Sequence, residues 1–487
     1  MRKLVIILCA PIDNLNMQEA LARLEEFVIE GRKSGKVHQV ATVNADFVVK
    51  ALSDPELRHL LQEVDMATAD GMPLVWGARL LGVPLEERVA GADMVPALAE
   101  LSARKGYSMF FLGAAPGVAA RAGEILQTQY PGLNIVGILS PPPSSVLDMD
   151  PAIIEKIKEA KPDILLVAFG NPKQEKWIGM YGRTLGVPVM IGVGGTFDFI
   201  AGQTKRAPHW MQRIGLEWVF RLAQEPGRLW KRYVVDLFAF GSFFLRQWWF
   251  TRGQAPPSPL LPQMDVMVVD HTAMIKIAGR IDFRSSSTIT QQGHEALTIT
   301  PNLIINLEQT TFLDSTGVGA LVGLAKRARE AGGQLKLAAV PESVMKVLTM
   351  LRLNQFFEFI KRVEEGLGLE KTGGSQVADG GVTRAGKWRI YRLPRRFDAE
   401  TSPAITEISS HNLHETAHLI LDFTDTAFLG SAGLAALLNI NRLAQEKGGA
   451  LRLSACSEDV HQVIRMVRFD KAFSIFPDVS SATSEPL

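Results

Sequence analysis

Residues 164–175 read Ile164-Leu-Leu-Val-Ala-Phe-Gly-Asn-Pro-Lys-Gln-Glu175. The unbroken apolar run Ile164–Phe169 predicts a strand buried on both faces. Glycine and proline then stop it, and a polar cluster follows at the strand's carboxyl end. The same unit recurs through the first half of the chain. Val37–Val43, Ser108–Leu112, Asn134–Ile138 and Val187–Val193 read as further buried strands. Helical patterns lie between them, over Met17–Arg32, Gly117–Gln129 and Ile153–Ala160. Such alternation predicts an α/β domain with a parallel sheet covered by helices. Ligands of such sheets bind beyond the carboxyl ends of the strands.

Four more clusters follow apolar runs: Thr42-Val-Asn44, Ala69-Asp-Gly-Met-Pro73, Phe111-Leu-Gly-Ala-Ala-Pro-Gly117 and Gly192-Val-Gly-Gly-Thr-Phe-Asp-Phe199. Glycines at strand-to-helix turns let a ligand approach the backbone, and helix N-termini present free N–H groups to a phosphate. Several such turns on one sheet edge suggest a nucleotide or sugar-phosphate pocket. Gly113, Gly194, Gly195 and Thr196 are the candidates these turns supply. No Walker motif is present, nor a dinucleotide Gly-x-Gly-x-x-Gly at the first strand.

Asp70 is the leading acid/base candidate. A carboxylate beside glycine at a strand end can take a proton from a sugar hydroxyl. The alternative is an N-cap for the following helix, a role Asp fills well. Asp198 reads as structural, and no metal-ligating cluster is visible in the sequence. Residues 205–250 differ in character. Lys205, Arg206, Arg213, Arg221, Arg228, Lys231 and Arg232 face few acids, and Trp, Phe and Tyr are interleaved. Arginines can clamp a diphosphate, and a basic-aromatic segment can lie on an anionic membrane surface. The apolar run Val234–Phe250 that follows favours membrane contact. Asp236 and Arg246 interrupt that run, which falls short of the roughly 20 apolar residues that span a bilayer. At the N-terminus, residues 3–10 predict a buried first strand rather than a signal peptide.

The 487 residues are 47% hydrophobic and 21% charged, with a net charge of +1. This balance excludes a disordered or collagen-like chain and argues against a globally basic nucleic-acid binder. Cys9 and Cys456 are the only cysteines, so a disulfide scaffold is excluded and a reducing compartment fits best. Two linkers divide the chain, a proline-rich one at 253–263 and a glycine-rich one at 367–384. The blocks they leave are 1–252, 264–366 and 385–480. The last two are a diverged repeat. Leu303–Leu321 aligns without a gap with Leu419–Leu437, a step of 116 residues, and each continues as a helix, a Gly-Gly turn and a strand. Two units at so long a period make a tandem domain pair, not a solenoid.

Over residues 3–250 the chain resembles the WecG/TagA/CpsF glycosyltransferases, glycosyltransferase family 26. The resemblance rests on the clusters quoted above, with Arg88-Val-Ala-Gly-Ala-Asp93, Arg206-Ala-Pro208, Gly215-Leu-Glu-Trp218, Arg221-Leu222, Glu225-Pro226 and Arg232-Tyr233. It implies a Rossmann-like, mainly parallel-sheet domain that needs no cofactor or metal. The implied reaction is an inverting transfer of a sugar from a UDP-sugar donor to a membrane-borne polyprenyl-diphosphate saccharide. N-acetylmannosamine, its uronic acid and glucose are all compatible with membership. Asp70 then corresponds to the catalytic base, and Thr42, Asn44 and Gln174 to donor or acceptor contacts. Arg213, Arg221, Arg228 and Arg232 correspond to the basic C-terminal appendage that closes the site and binds the membrane. Gly227-Arg228 stands where the family usually has a double Arg. The location implied is the cytoplasmic face of the cell membrane.

Both later blocks resemble STAS domains, small α/β folds of anti-sigma-factor antagonists. Phe312-Leu-Asp-Ser-Thr-Gly-Val-Gly319 matches their phosphorylation loop, with Thr316 at or beside the acceptor position and Ser315 next to it. A kinase or an anti-sigma-like protein is the partner this implies; simple capping of the next helix is the alternative. The second copy departs, with Gly430 for Asp314 and Ala432 for Thr316, while Ser431 remains. It reads as a degenerate binding module. The rival to an enzyme is a STAS-based scaffold whose first domain only binds nucleotide sugar or membrane.

Overall fold

The structure is a computed structural model. It describes residues 3–142, 146, 150–208, 211, 216–224, 226–252, 262–269, 271–361, 363, 382–399, 401–466, 469 and 472–484. At 221, 226, 228–229, 231–237, 250–252, 414–415 and 466 the description covers the backbone alone.

The chain opens with a two-stranded antiparallel hairpin, β1 (Leu4–Ile7) and β2 (Ala10–Asp13), separate from the main sheet. The apolar run over 3–10 is buried as its composition predicts. It is not one strand, because Leu8 takes a positive φ of 57° and the chain doubles back. The main sheet has six parallel strands: β3 (His38–Val43), β4 (Met66–Ala69), β5 (Ser108–Gly113), β6 (Asn134–Leu139), β7 (Ile164–Ala168) and β8 (Val189–Gly192). Their order is β4-β3-β8-β7-β5-β6.

Helices α1 (Met17–Ser34), α2 (Ala45–Ser53), α3 (Pro55–Glu63), α4 (Met72–Leu80), α5 (Gly91–Lys105), α6 (Val118–Gln129), α7 (Ala152–Ala160), α8 (Lys173–Leu185) and α9 (Thr196–Ile200) cover both faces. Alternate strand residues divide between the faces, as a pleated sheet requires. Val40, Met109, Phe111, Leu166 and Ile191 pack under α1, α5 and α6. Phe110, Leu112, Leu165, Val167 and Met190 pack under α7 and α8. The strand expected to be buried at 134–138 is an edge strand and is only partly buried, because among the described residues no strand pairs beyond it.

Among the described residues that follow α9 in this domain are the helices Glu217–Gln224 and Pro226–Arg252. The longer one returns to the domain. Phe240 and Phe244 join the core built on α2, α3 and α4, while Phe238, Leu245 and Trp249 face outward. Among the described residues no helix is long and apolar enough to cross a membrane.

The repeat has the same frame twice. In the first copy β9 (Gln263–Val269) flanks β10 (Thr272–Ile281), which pairs in parallel with β11 (Asn302–Asn306) and β12 (Thr310–Leu313). Beyond β11 lie β13 (Leu335–Ala338) and β14 (Glu358–Ile360). In the second, the five-stranded sheet holds β15 (Val382–Ala385), β16 (Trp388–Arg392), β18 (His418–Asp422), β20 (Ala450–Ser454) and β21 (Ser474–Phe476). β17 (Arg396–Phe397) and β19 (Phe428–Leu429) pair separately. The register is conserved at the step of 116 residues. Thr272 pairs with Asn302 as Trp388 pairs with His418, and Leu303 with Leu335 as Leu419 with Leu451.

Candidate active site

The carboxyl edge of the main sheet gathers the predicted clusters. β4, β3 and β8 are neighbours, so Asp70, Asn44 and the glycine turn after Gly192 leave the sheet side by side. Asp70 is half-buried, and its N–H donates to the Val43 carbonyl at 2.7 Å, pinning it against the end of β3. Gly71, not Asp70, occupies the cap position of α4. Asn44 caps α2, its side-chain oxygen accepting from the Phe47 N–H at 3.0 Å. A Cβ on Gly71 would sit 3.6 Å from that of Asn44.

Thr42, Gln174 and Thr196 are buried, and their polar atoms bind the loops to one another. Thr42 Oγ1 donates to the Gly192 carbonyl at 3.0 Å, and Thr196 Oγ1 to the Val193 carbonyl at 2.7 Å. Gln174 Oε1 accepts from the N–H groups of Gly170, at 3.1 Å, and Gly194, at 3.0 Å. One amide thus staples the loop after β7 to the loop after β8. Its Nε2 donates at 2.7 Å to Oε1 of Glu175, which is also buried. A Cβ on Gly192 would lie 2.6 Å from both groups, so any larger residue there would have to displace this pair. Gly113 answers a similar demand: its φ is 104°, and a Cβ would meet the Ala168 carbonyl at 2.7 Å. Gly195 stands at the cap position of α9.

Burial pushes the Glu175 carboxyl up to about 8, so at neutral pH it is mostly protonated and uncharged. The sequence alone gives this residue no role, although it stands in the polar cluster that follows β7.

A charge lattice borders the site. Arg206 grips Asp93 through two nitrogens, at 2.5 and 3.2 Å. Arg88 bridges Asp93 at 3.2 Å and Glu217 at 3.0 Å. The lattice ties the start of α5 and the loop at 206 to the helix Glu217–Gln224. Hydrogen bonding to Asp93 holds the Arg206 guanidinium above its ordinary value, and the negative charges of Glu217 and Asp70 add to this. Arg88, Asp93 and Arg206 were legible as motif residues but not as one cluster. Arg213 lies outside the described residues, as do the side chains of Arg221, Arg228 and Arg232. Among the described residues no group of three or more His, Cys, Asp or Glu is placed to hold a metal ion.

Ligands of parallel α/β sheets bind at this carboxyl edge, which here carries a carboxylate and stapled glycine loops. Residues 5–254 match the glycosyl transferase WecG/TagA/CpsF family, and the chain belongs to that family. Residues 263–366 and 381–482 each match the STAS domain. The chain is therefore a glycosyltransferase carrying two STAS domains. An N-acetylglucosaminyldiphosphoundecaprenol N-acetyl-beta-D-mannosaminyltransferase of Bacillus spizizenii is 34% identical over 193 residues, spanning 40% of this chain and 73% of that one. The Bacillus subtilis protein of the same name is 34% identical over 223 residues, 46% of this chain and 84% of that one. The anti-sigma factor antagonist SpoIIAA in its unphosphorylated form aligns at 22% identity with a TM-score of 0.21, covering 22% of this chain and 96% of that one.

Proposed function

We propose that the N-terminal domain transfers N-acetylmannosamine from its UDP derivative to a polyprenyl-diphosphate-linked N-acetylglucosamine, with inversion and without a metal. The observation that carries this reading is the position of Asp70 at the carboxyl end of the edge strand β4, beside the Asn44 cap on β3 and on the same sheet edge as the Gln174-stapled loops after β8 and β7. The names of the Bacillus relatives support the donor sugar and the acceptor.

In this mechanism the acceptor hydroxyl attacks C1 of the donor sugar from the face opposite UDP. The new C1–O bond forms as the bond from C1 to the phosphate oxygen breaks. UDP leaves with the electron pair, and the hydroxyl proton passes to the Asp70 carboxylate. One base suffices for inversion. The leaving diphosphate requires nearby positive charge or N–H donors. Loop N–H groups after β8 and the arginines of residues 205–232 are the groups assigned that task.

The acceptor is membrane-borne, so the domain acts at the cytoplasmic membrane face. Phe238, Leu245 and Trp249 on the long helix, with Trp76 and Leu80 on α4, are exposed apolar side chains suited to headgroup-level insertion. Phe244 packs directly over Gly77, joining the two helices. The STAS domains serve regulation or partner docking.

The test is UDP release with EDTA present, using a panel of UDP-sugars and a short polyprenyl-diphosphate-N-acetylglucosamine, with the anomeric configuration of the product read by NMR. Acceptor-dependent release from the N-acetylmannosamine donor, with inverted configuration, is the expected result. Release that needs a divalent ion, or retained configuration, overturns the mechanism.

A further inference from the structure

The two repeats meet the transferase domain through the same position. Ser315 and Ser431, one repeat step apart, each begin a helix, Ser315–Glu330 and Ser431–Glu446. Both serines are buried. Ser315 Oγ accepts from Gln247 Nε2 at 3.2 Å. Gln247, on the long helix of the transferase domain, also donates to the Ile6 carbonyl at 3.0 Å and accepts from the Leu8 N–H at 2.9 Å. The Ser431 N–H donates to the Glu56 carboxylate on α3. The other Glu56 oxygen pairs with Lys176 at 2.9 Å, two residues beyond Gln174.

Helix α3 is held from both sides. Glu63 pairs with Arg329 of the first repeat, and Gln62 Nε2 donates to the Arg352 carbonyl at 3.2 Å. The His59 ring lies 3.9 Å from that of Phe428 in the second repeat. Lys326 has only 8% of its surface exposed, and its ammonium donates to the Val64 carbonyl at 2.8 Å. A lysine buried this way suits a docked repeat, because burial without a partner would be costly. Gly319 completes the fit. A Cβ there would lie 2.4 Å from the Leu4 carbonyl oxygen, and its three nearest neighbours are all Leu4 atoms.

We infer that the transferase domain is the in-cis partner of both STAS domains. It covers the helix-leading serine of each, so a second protein or a kinase reaches Ser315, Thr316 or Ser431 only after that repeat undocks. Thr316 is itself buried, and its hydroxyl donates to Asp314 at 2.6 Å. The same contacts anchor two transferase elements. Gln247 fastens the long helix, and Glu56 with Lys176 fastens the start of α8.

The test uses the full chain and needs no turnover, so it stands apart from the sugar-transfer reading. Gly319→Leu drives a side chain into Leu4, which with Ile6 packs against the first repeat's core, and meets no atom of that repeat among its nearest neighbours. Hydrogen exchange followed by mass spectrometry should show β1 and α3 exchanging at least tenfold faster in this variant, while β7 and β11 keep their protection. Glu63→Arg and Arg329→Glu should each accelerate α3, and the double reversal should restore it. In a Ser315→Cys chain, alkylation at that position should be slow, and fast once Gly319→Leu is added. Unchanged exchange in β1 and α3 with folded cores, charge reversals without rescue, or rapid alkylation in the otherwise unaltered chain would each overturn the inference.

Discussion

Replacing Glu175 by Gln should change how the stability of the transferase domain depends on pH. Glu175 is fully buried behind Gln174, and among the described residues its Oε2 has no hydrogen-bond partner. Burial raises its folded value from 4.5 to about 8. A raised value means that the folded state prefers the protonated form. That preference stabilises fully below the unfolded value and is lost as pH climbs to the folded one. Between about pH 4.5 and 8, each unit therefore removes up to about 1.4 kcal/mol, on the order of 4 kcal/mol in total. Gln matches the neutral acid in shape and cannot ionise. Wild type and Glu175→Gln should have similar stability at pH 4.5, and the variant should lead by several kcal/mol at pH 8. The assay is hydrogen exchange of β7 and β8 in both proteins at pH 5, 6.5 and 8. Comparison at equal pH cancels the intrinsic dependence of exchange. Parallel curves would refute a buried neutral Glu175, as would a variant already unstable at pH 5.

Three further predictions concern the site and the long helix. Gln174→Ala leaves the Gly170 and Gly194 N–H groups without their staple; it should cost about 1–3 kcal/mol and cut kcat more than it raises KM, as read by steady-state kinetics. Arg206→Ala strips Asp93 of its two-point partner and should destabilise the domain by about 2 kcal/mol in urea unfolding, with Arg206→Lys recovering only part, since one ammonium cannot reproduce the planar fork. Phe238→Ser combined with Trp249→Ser should weaken binding to anionic vesicles at least tenfold, since each buried aromatic is worth about 1.5–3 kcal/mol, while solution stability stays unchanged because both side chains are exposed.

The parallel sheet was readable because its strands are apolar runs closed by glycine, a pattern that burial on both faces demands. Residues 3–10 show where that logic stops. An apolar run signals burial but not which sheet it joins, and the turn at Leu8 leaves no mark in composition. Helix α3 was missed for a different reason. Glu56, Arg58 and Gln62 are buried polar residues on it, covered in part by domains some 300–400 residues further along, and polar residues on a helix ordinarily read as a wet face. At the site, the residue types were visible and their duties were not. Gln174 is marked as a donor or acceptor contact by the family resemblance, but nothing in the sequence discloses that it also holds Gly170 and Gly194. Glu175 carries no mark of burial in the sequence, and only the fold shows Gly192 packed against its carboxyl. The 116-residue step was the most transparent signal, because two copies of one domain preserve register as well as sequence.

The central claim is that Asp70 removes the acceptor proton. The direct measurement is acceptor-dependent UDP release by wild type and by Asp70→Asn, with UDP-sugar binding to both measured by calorimetry. The account predicts donor binding within about twofold and turnover reduced about 10²–10⁴-fold in the variant, the usual contribution of a positioned general base. Turnover retained in Asp70→Asn, with the donor bound as tightly as before, would contradict it.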